Sequence, residues 1–169
     1  YVPKGRLEHD LAETLDQVIT PVIYAEALEL IEEHKRAGRK TVIISSSPIE
    51  TVEAIGEHLG VDDVIASRAR IGTDGRYTGE LPEPVIGEGK RAAALRLLAE
   101  HPGVNPRDCF AYGDHPSDFP LLDCVGHPRG VGDDPVVRGY LARRADRAAV
   151  AVSGCALACW SMGRDEQSE

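Results

Sequence analysis

Thr41, Val42, Ile43 and Ile44 form an unbroken, mostly β-branched apolar run, and Ser45, Ser46, Ser47 and Pro48 follow at once. A run with no polar alternate has no solvent face. It therefore predicts a strand buried on both sides, as in a parallel sheet covered by helices. The break that follows is equally restrictive. Ser47 and Glu50 have capping-box spacing, Pro48 falls at the favoured first helical position, and Gly60 stands where a helix-ending glycine belongs. A helix over 48–59 is the expectation. The same alternation recurs along the chain. Ala27, Leu28, Ile31 and His34 repeat at helical spacing before Gly38, which predicts a helix over 24–37. Short strands are expected over 64–66 and 108–112, and a β-hairpin over 68–81 around Asp74 and Gly75. Helices are expected over 88–101 and 118–124, with a strand or turn over 125–131. Asp133, Asp134 and Pro135 open a last helix, with acids at the positive end of its dipole. Strands alternating with helices of this length predict an α/β fold, a doubly wound parallel sheet.

The chain has 169 residues, one domain with at most a small appendage, which is long enough to build a core without disulfides or a structural metal. Nineteen basic against 28 acidic residues give a formal charge of −9, which argues against nucleic acid or an anionic membrane as partner. The longest apolar stretch, residues 148–160, is interrupted by Ser153 and Gly154 and is too short for a membrane span. Cys109, Cys124, Cys155 and Cys159 form no CxxC pair, which fits a reducing cytoplasm; Cys155 and Cys159 read as core thiols. The six histidines have no zinc spacing, and the glycine-rich dinucleotide, P-loop and serine-elbow fingerprints are absent.

In open α/β sheets ligands bind beyond the carboxyl ends of the strands. Three places qualify. Ser45 and Ser46 end the first strand where a helix begins, so hydroxyls and backbone N–H groups could hold an anion there; simple helix capping is the alternative. After the strand over 108–112, Gly113 frees a turn and Asp114 and Asp118 follow four apart. Carboxylates held this close need a cation or donors between them, and oxygen ligands favour Mg²⁺. A cap plus a solvated acid is the plainer reading. Lys90 opens a helix against the dipole, as a lysine reaching for a phosphate or carboxylate would; a surface lysine is the alternative.

Taken together, a strand ending in Ser45, then Lys90, then Gly113, Asp114 and Asp118 as GDxxxD resembles the haloacid-dehalogenase-like (HAD) superfamily. The branch it looks like is the phosphoserine-phosphatase-like one (subfamily IB), over roughly residues 20–146. Three stretches agree: 20–24 (TPVIY), 75–80 (GRYTGE), and 125–128 (VGHP) with Asp134 and Pro135 beyond. The resemblance implies a Rossmann-like HAD core with a β-hairpin and the remnant of a small helical cap. It implies residues 1–20 as the end of that cap, 21–162 as the core and 163–169 as a solvated tail. Ser45 would hydrogen-bond the transferring phosphoryl, with Ser46 and Ser117 beside it, Ser117 lying where relatives often carry Asn. Lys90 would neutralise phosphoryl and nucleophile, Asp114 would bind Mg²⁺, and Asp118 would hold Lys90 or the metal shell.

The implied activity is a Mg²⁺-dependent phosphatase acting on a small phosphorylated metabolite through an aspartyl-phosphate. A non-catalytic binding module, or a hydrolase of a non-phosphate substrate, is the alternative; substrate identity and oligomeric state stay open. The family's first motif, Asp-x-Asp after an apolar strand, is found nowhere in the chain. The expectation is that its strand lies upstream of Tyr1 and runs centrally in the sheet, between the strands ending at Ser45 and Tyr112. Two neighbours robbed of it would expose unpaired backbone groups.

Overall fold

The computed structural model describes residues 25–144 and the backbone of 156–158. Among the described residues five α-helices and five strands alternate: α1 (Ala25–Arg36), β1 (Thr41–Pro48), α2 (Ile49–Leu59), β2 (Asp63–Ser67), α3 (Glu88–Glu100), β3 (Phe110–Gly113), α4 (Phe119–Leu122), β4 (His127–Gly130), α5 (Pro135–Ala142) and β5 (Ala156–Ala158). The strands form one parallel sheet in the order β2-β1-β5-β3-β4. This is the doubly wound α/β architecture.

β1 is buried from Thr41 through Ser45, as an unbroken apolar run requires. Its side chains alternate between two cores. Val42 and Ile44 join Ala111 of β3 under α3 and α4, against Ala93, Ala94, Leu97, Leu121 and Leu122. Ile43 points the other way, to Ile49, Val52 and Ile55 of α2 and to Ala66. Ile44, fully buried, stabilises the fold by about 1.5–3 kcal/mol relative to an exposed side chain. The start of β1 is clamped from outside: the Asp62 carboxylate accepts from the Thr41 amide at 2.7 Å and from its hydroxyl at 3.0 Å. Those bonds hold the Asp62 carboxyl below its usual pKa.

Three sequence expectations change in detail. The Ser47–Glu50 capping box does not form. β1 runs on to Pro48 with a register irregularity after Ser45, and α2 starts at Ile49 with no side-chain cap. The Ser47 amide is taken instead by Ser45 Oγ at 3.2 Å. The hairpin over 68–81 is held by the single bridge Ile71–Tyr77 and by Arg70 N–H to Glu80 C=O at 2.9 Å, without extended strands. The central position between β1 and β3, expected for an upstream strand, is taken by the chain's own Ala156–Ala158. Other punctuation falls as expected. Gly60 ends α2 with φ 62°, and Asp134 caps α5 by accepting from Val136 and Val137 amides.

Residues 1–20, 163–169, Cys155 and Cys159 lie outside the described residues. Among the described residues no helix is long and apolar enough to cross a membrane.

Candidate active site

Ser45 and Asp114 stand at the same edge of the sheet. Ala158 of β5 is opposite Ile43 on one side and Tyr112 on the other, so Ser45 lies two residues further along β1 and Asp114 one residue past the end of β3. One strand position separates β1 from β3, a spacing of roughly 10 Å. This edge is where a doubly wound sheet binds its ligands.

The best-defined feature of the edge is a buried ion pair. Lys90 Nζ donates to Asp118 Oδ1 at 2.6 Å, with side chains 2% and 0% exposed. Lys90 comes from the first turn of α3, which opens after Gly87 (φ 53°). Asp118 comes from the 3-10 turn Pro116–Asp118. Its second oxygen, Oδ2, accepts from the backbone amides of Asp114 and His115, both at 3.2 Å. Asp118 thus ties the loop after β3 to the lysine of a helix 28 residues earlier in the sequence. The loop can close this tightly only over a glycine, because a Cβ on Gly113 would come within 2.7 Å of Asp118 Cβ.

His115 completes the turn in a way the sequence reading did not anticipate. Its Nδ1 accepts from the Ser117 amide at 3.1 Å while the Asp118 carboxylate accepts from the His115 amide, a reciprocal cap. The Ser117 hydroxyl lies 3.0 Å from the same Nδ1. A histidine is an unusual N-cap, so the turn was legible from Gly113 and Pro116 but the cap was not. Ser117 is therefore turned to its own loop. Ser45 is buried, Ser46 is exposed and Asp114 is half-buried.

Both oxygens of Asp118 are engaged, Oδ1 by Lys90 and Oδ2 by the Asp114 and His115 amides. Among the described residues no group of three or more His, Cys, Asp or Glu side chains converges as a metal site. A half-buried carboxylate fits Mg²⁺, which takes one or two carboxylates together with waters and substrate oxygens. A cleft of about 330 Å³ between β2 and α3 is lined by none of these residues.

The family model described as "haloacid dehalogenase-like hydrolase" matches residues 2–123. The Streptomyces azureus "Inhibition of morphological differentiation protein" is 48% identical over 128 residues, 76% of this chain and 46% of that protein. A Mycobacterium tuberculosis protein named "Probable phosphatase" is 42% identical over 134 residues, again 76% of this chain and 46% of its own length. The chain thus spans about half the length of these curated relatives. A substrate-bound phosphoserine phosphatase structure superposes with a TM-score of 0.60 at 23% identity, covering 83% of this chain and 74% of that one. At that identity the likeness is one of fold.

Proposed function

We propose, from the premise that this chain belongs to the haloacid dehalogenase-like hydrolase family, that it carries most of the active site of a Mg²⁺-dependent phosphatase for small phosphomonoesters. The observation that carries the reading is the buried Lys90–Asp118 pair at the ligand-binding edge of the sheet, beside a buried Ser45. A surface lysine would have no reason to be buried. An ammonium removed from water costs several kcal/mol unless it is paired, and a fold that accepts the cost gains a fixed positive charge.

Phosphoryl transfer asks for such fixed charge, because its catalysis is positioning and charge neutralisation more than covalent chemistry. In this reading Ser45 donates to a non-bridging phosphoryl oxygen, and Ser46 follows it on β1. Lys90, held in place by Asp118, offsets the charge of the phosphoryl group and of the attacking carboxylate. Asp114 holds Mg²⁺, which when bound supplies Lewis-acid stabilisation to the phosphoryl oxygens. Ser117 acts through the shape of the loop. The nucleophile in this reading is an aspartate of an Asp-x-Asp motif, a pattern the 169 residues do not contain. It attacks phosphorus, the bond to the leaving alcohol breaks, and water then hydrolyses the aspartyl-phosphate. The working compartment in this reading is the cytoplasm, consistent with Cys124 as a free thiol.

The test is turnover of para-nitrophenyl phosphate by the protein complete with an Asp-x-Asp strand. Activity should require Mg²⁺ and should fall at least ~10²-fold in Asp114→Asn. No Mg²⁺-dependent turnover in the complete wild type would refute the phosphatase reading; phosphate binding without turnover would make the protein a binding module.

A further inference from the structure

The loop over 114–118 satisfies its own backbone. Pro116 has no amide, and the other amides all find acceptors inside the loop. Those of Asp114 and His115 donate to Asp118 Oδ2, both at 3.2 Å. The Asp118 amide donates to the His115 carbonyl at 2.9 Å, and the Ser117 amide to His115 Nδ1 at 3.1 Å. Two side chains therefore do the accepting, from opposite ends of the turn. Asp118 is anchored by the buried Lys90. The half-buried His115 ring is the acceptor that the turn itself provides. Asp114 stands between β3, which ends at Gly113, and this stitched turn, so its backbone is fixed by the sheet on one side and by the cap on the other.

A carboxylate that takes Mg²⁺ benefits from being fixed in this way. The ion demands near-octahedral geometry and gives up water reluctantly, so a ligand that wanders binds it poorly. Groups behind a ligand that hold it in place commonly govern metal affinity. Histidine suits the task by its charge. Asparagine, aspartate and serine are the usual N-caps. An aspartate at 115 would set a third carboxylate beside Asp114 and Asp118, and like charges that close disfavour ionisation. An imidazole nitrogen accepts the same amide without adding a negative charge.

We infer that His115 is a positioning residue for the Mg²⁺ site: by accepting from the Ser117 amide through Nδ1 it fixes the turn that carries Asp114, and it touches neither the metal nor the phosphoryl group. The inference rests on the phosphatase reading, in which Asp114 holds Mg²⁺.

The probe is Mg²⁺ alone, titrated without substrate into the complete ¹⁵N-labelled protein while the Asp114 amide resonance is followed. His115→Ala should weaken Mg²⁺ binding by about tenfold, with faster hydrogen exchange at the Ser117 amide. His115→Asn, whose Oδ1 can stand in for Nδ1, should restore the affinity to within about threefold of wild type. His115→Gln keeps the bulk of the side chain and a polar atom near Nε2 but none at Nδ1. It should behave like His115→Ala, and it serves in its place if the alanine variant does not fold. In para-nitrophenyl phosphate turnover the half-saturating Mg²⁺ concentration should rise about tenfold in His115→Gln, while kcat at saturating Mg²⁺ falls less than about threefold. Wild-type Mg²⁺ affinity in His115→Ala or His115→Gln would overturn the positioning role and leave the phosphatase reading standing. Rescue by His115→Gln but not by His115→Asn would also overturn it, because Nε2 would then be acting on the metal or the substrate. No Mg²⁺ binding in the wild type would remove both the inference and the reading beneath it.

Discussion

Removing the Asp118 charge should reveal how far the Lys90 ammonium depends on it. The Lys90 side chain is 2% exposed and its Nζ sits 2.6 Å from Asp118 Oδ1. In Asp118→Asn the volume is kept and one amide oxygen can still accept, but the ammonium loses its counter-charge in a place water does not reach. Breaking a buried pair from one side costs about 3–5 kcal/mol. Asp118 also accepts from the Asp114 and His115 amides, and an asparagine can serve Lys90 or those amides with its single oxygen, not all three. The upper part of that range is therefore expected. In a domain whose total stability is of order 5–15 kcal/mol, this is a large fraction. At about 2–4 °C per kcal/mol, the thermal midpoint should fall by roughly 6–20 °C. The assay is urea unfolding of wild type, Asp118→Asn, Lys90→Met and the double variant. Because the buried ammonium loses the Asp118 charge, Lys90→Met should relieve part of the cost. The double variant should be less destabilised than the sum of the singles by about 1–3 kcal/mol. Additive effects within about 0.5 kcal/mol, or a single-variant loss below about 1 kcal/mol, would refute the argument that the charges are held by each other.

Gly113→Ala should destabilise the site loop by roughly 1–3 kcal/mol, because the new methyl meets Asp118 Cβ at 2.7 Å; urea unfolding at unchanged m-value measures it. His34, 4% exposed, is held below its usual pKa first by burial and then by the Arg39 charge. The unfolded chain then takes up the proton first, so its stabilisation is complete above about pH 6.5 and is lost as pH falls through the lowered folded value. Urea midpoints at pH 7.5 and 5.5 should differ more in wild type than in His34→Gln. Asp134→Ala should cost about 0.5–2 kcal/mol by freeing the Val136 and Val137 amides, read as a lower urea midpoint.

Local chemistry in the sequence determined a good deal. The apolar run from Thr41 to Ile44 could only be a two-sided buried strand, Gly60 could end a helix with positive φ where other residues are strained, and Asp134-Pro135 could open one. These are effects within a few residues, so they are readable one segment at a time. The order of Ser45, Lys90 and GDxxxD likewise carried the family resemblance. What no segment contains is the partner of a distant group. Whether Asp118 would serve a metal or Lys90 was open in the sequence, and it took the approach of α3 to the loop after β3 to join them. The same holds for Arg39 on Phe110, and for Ala156–Ala158 between β1 and β3. A three-residue strand has almost no intrinsic signal. Its place is decided by two ladders offered by strands more than forty residues away in sequence, and such pairing exists only once the sheet does.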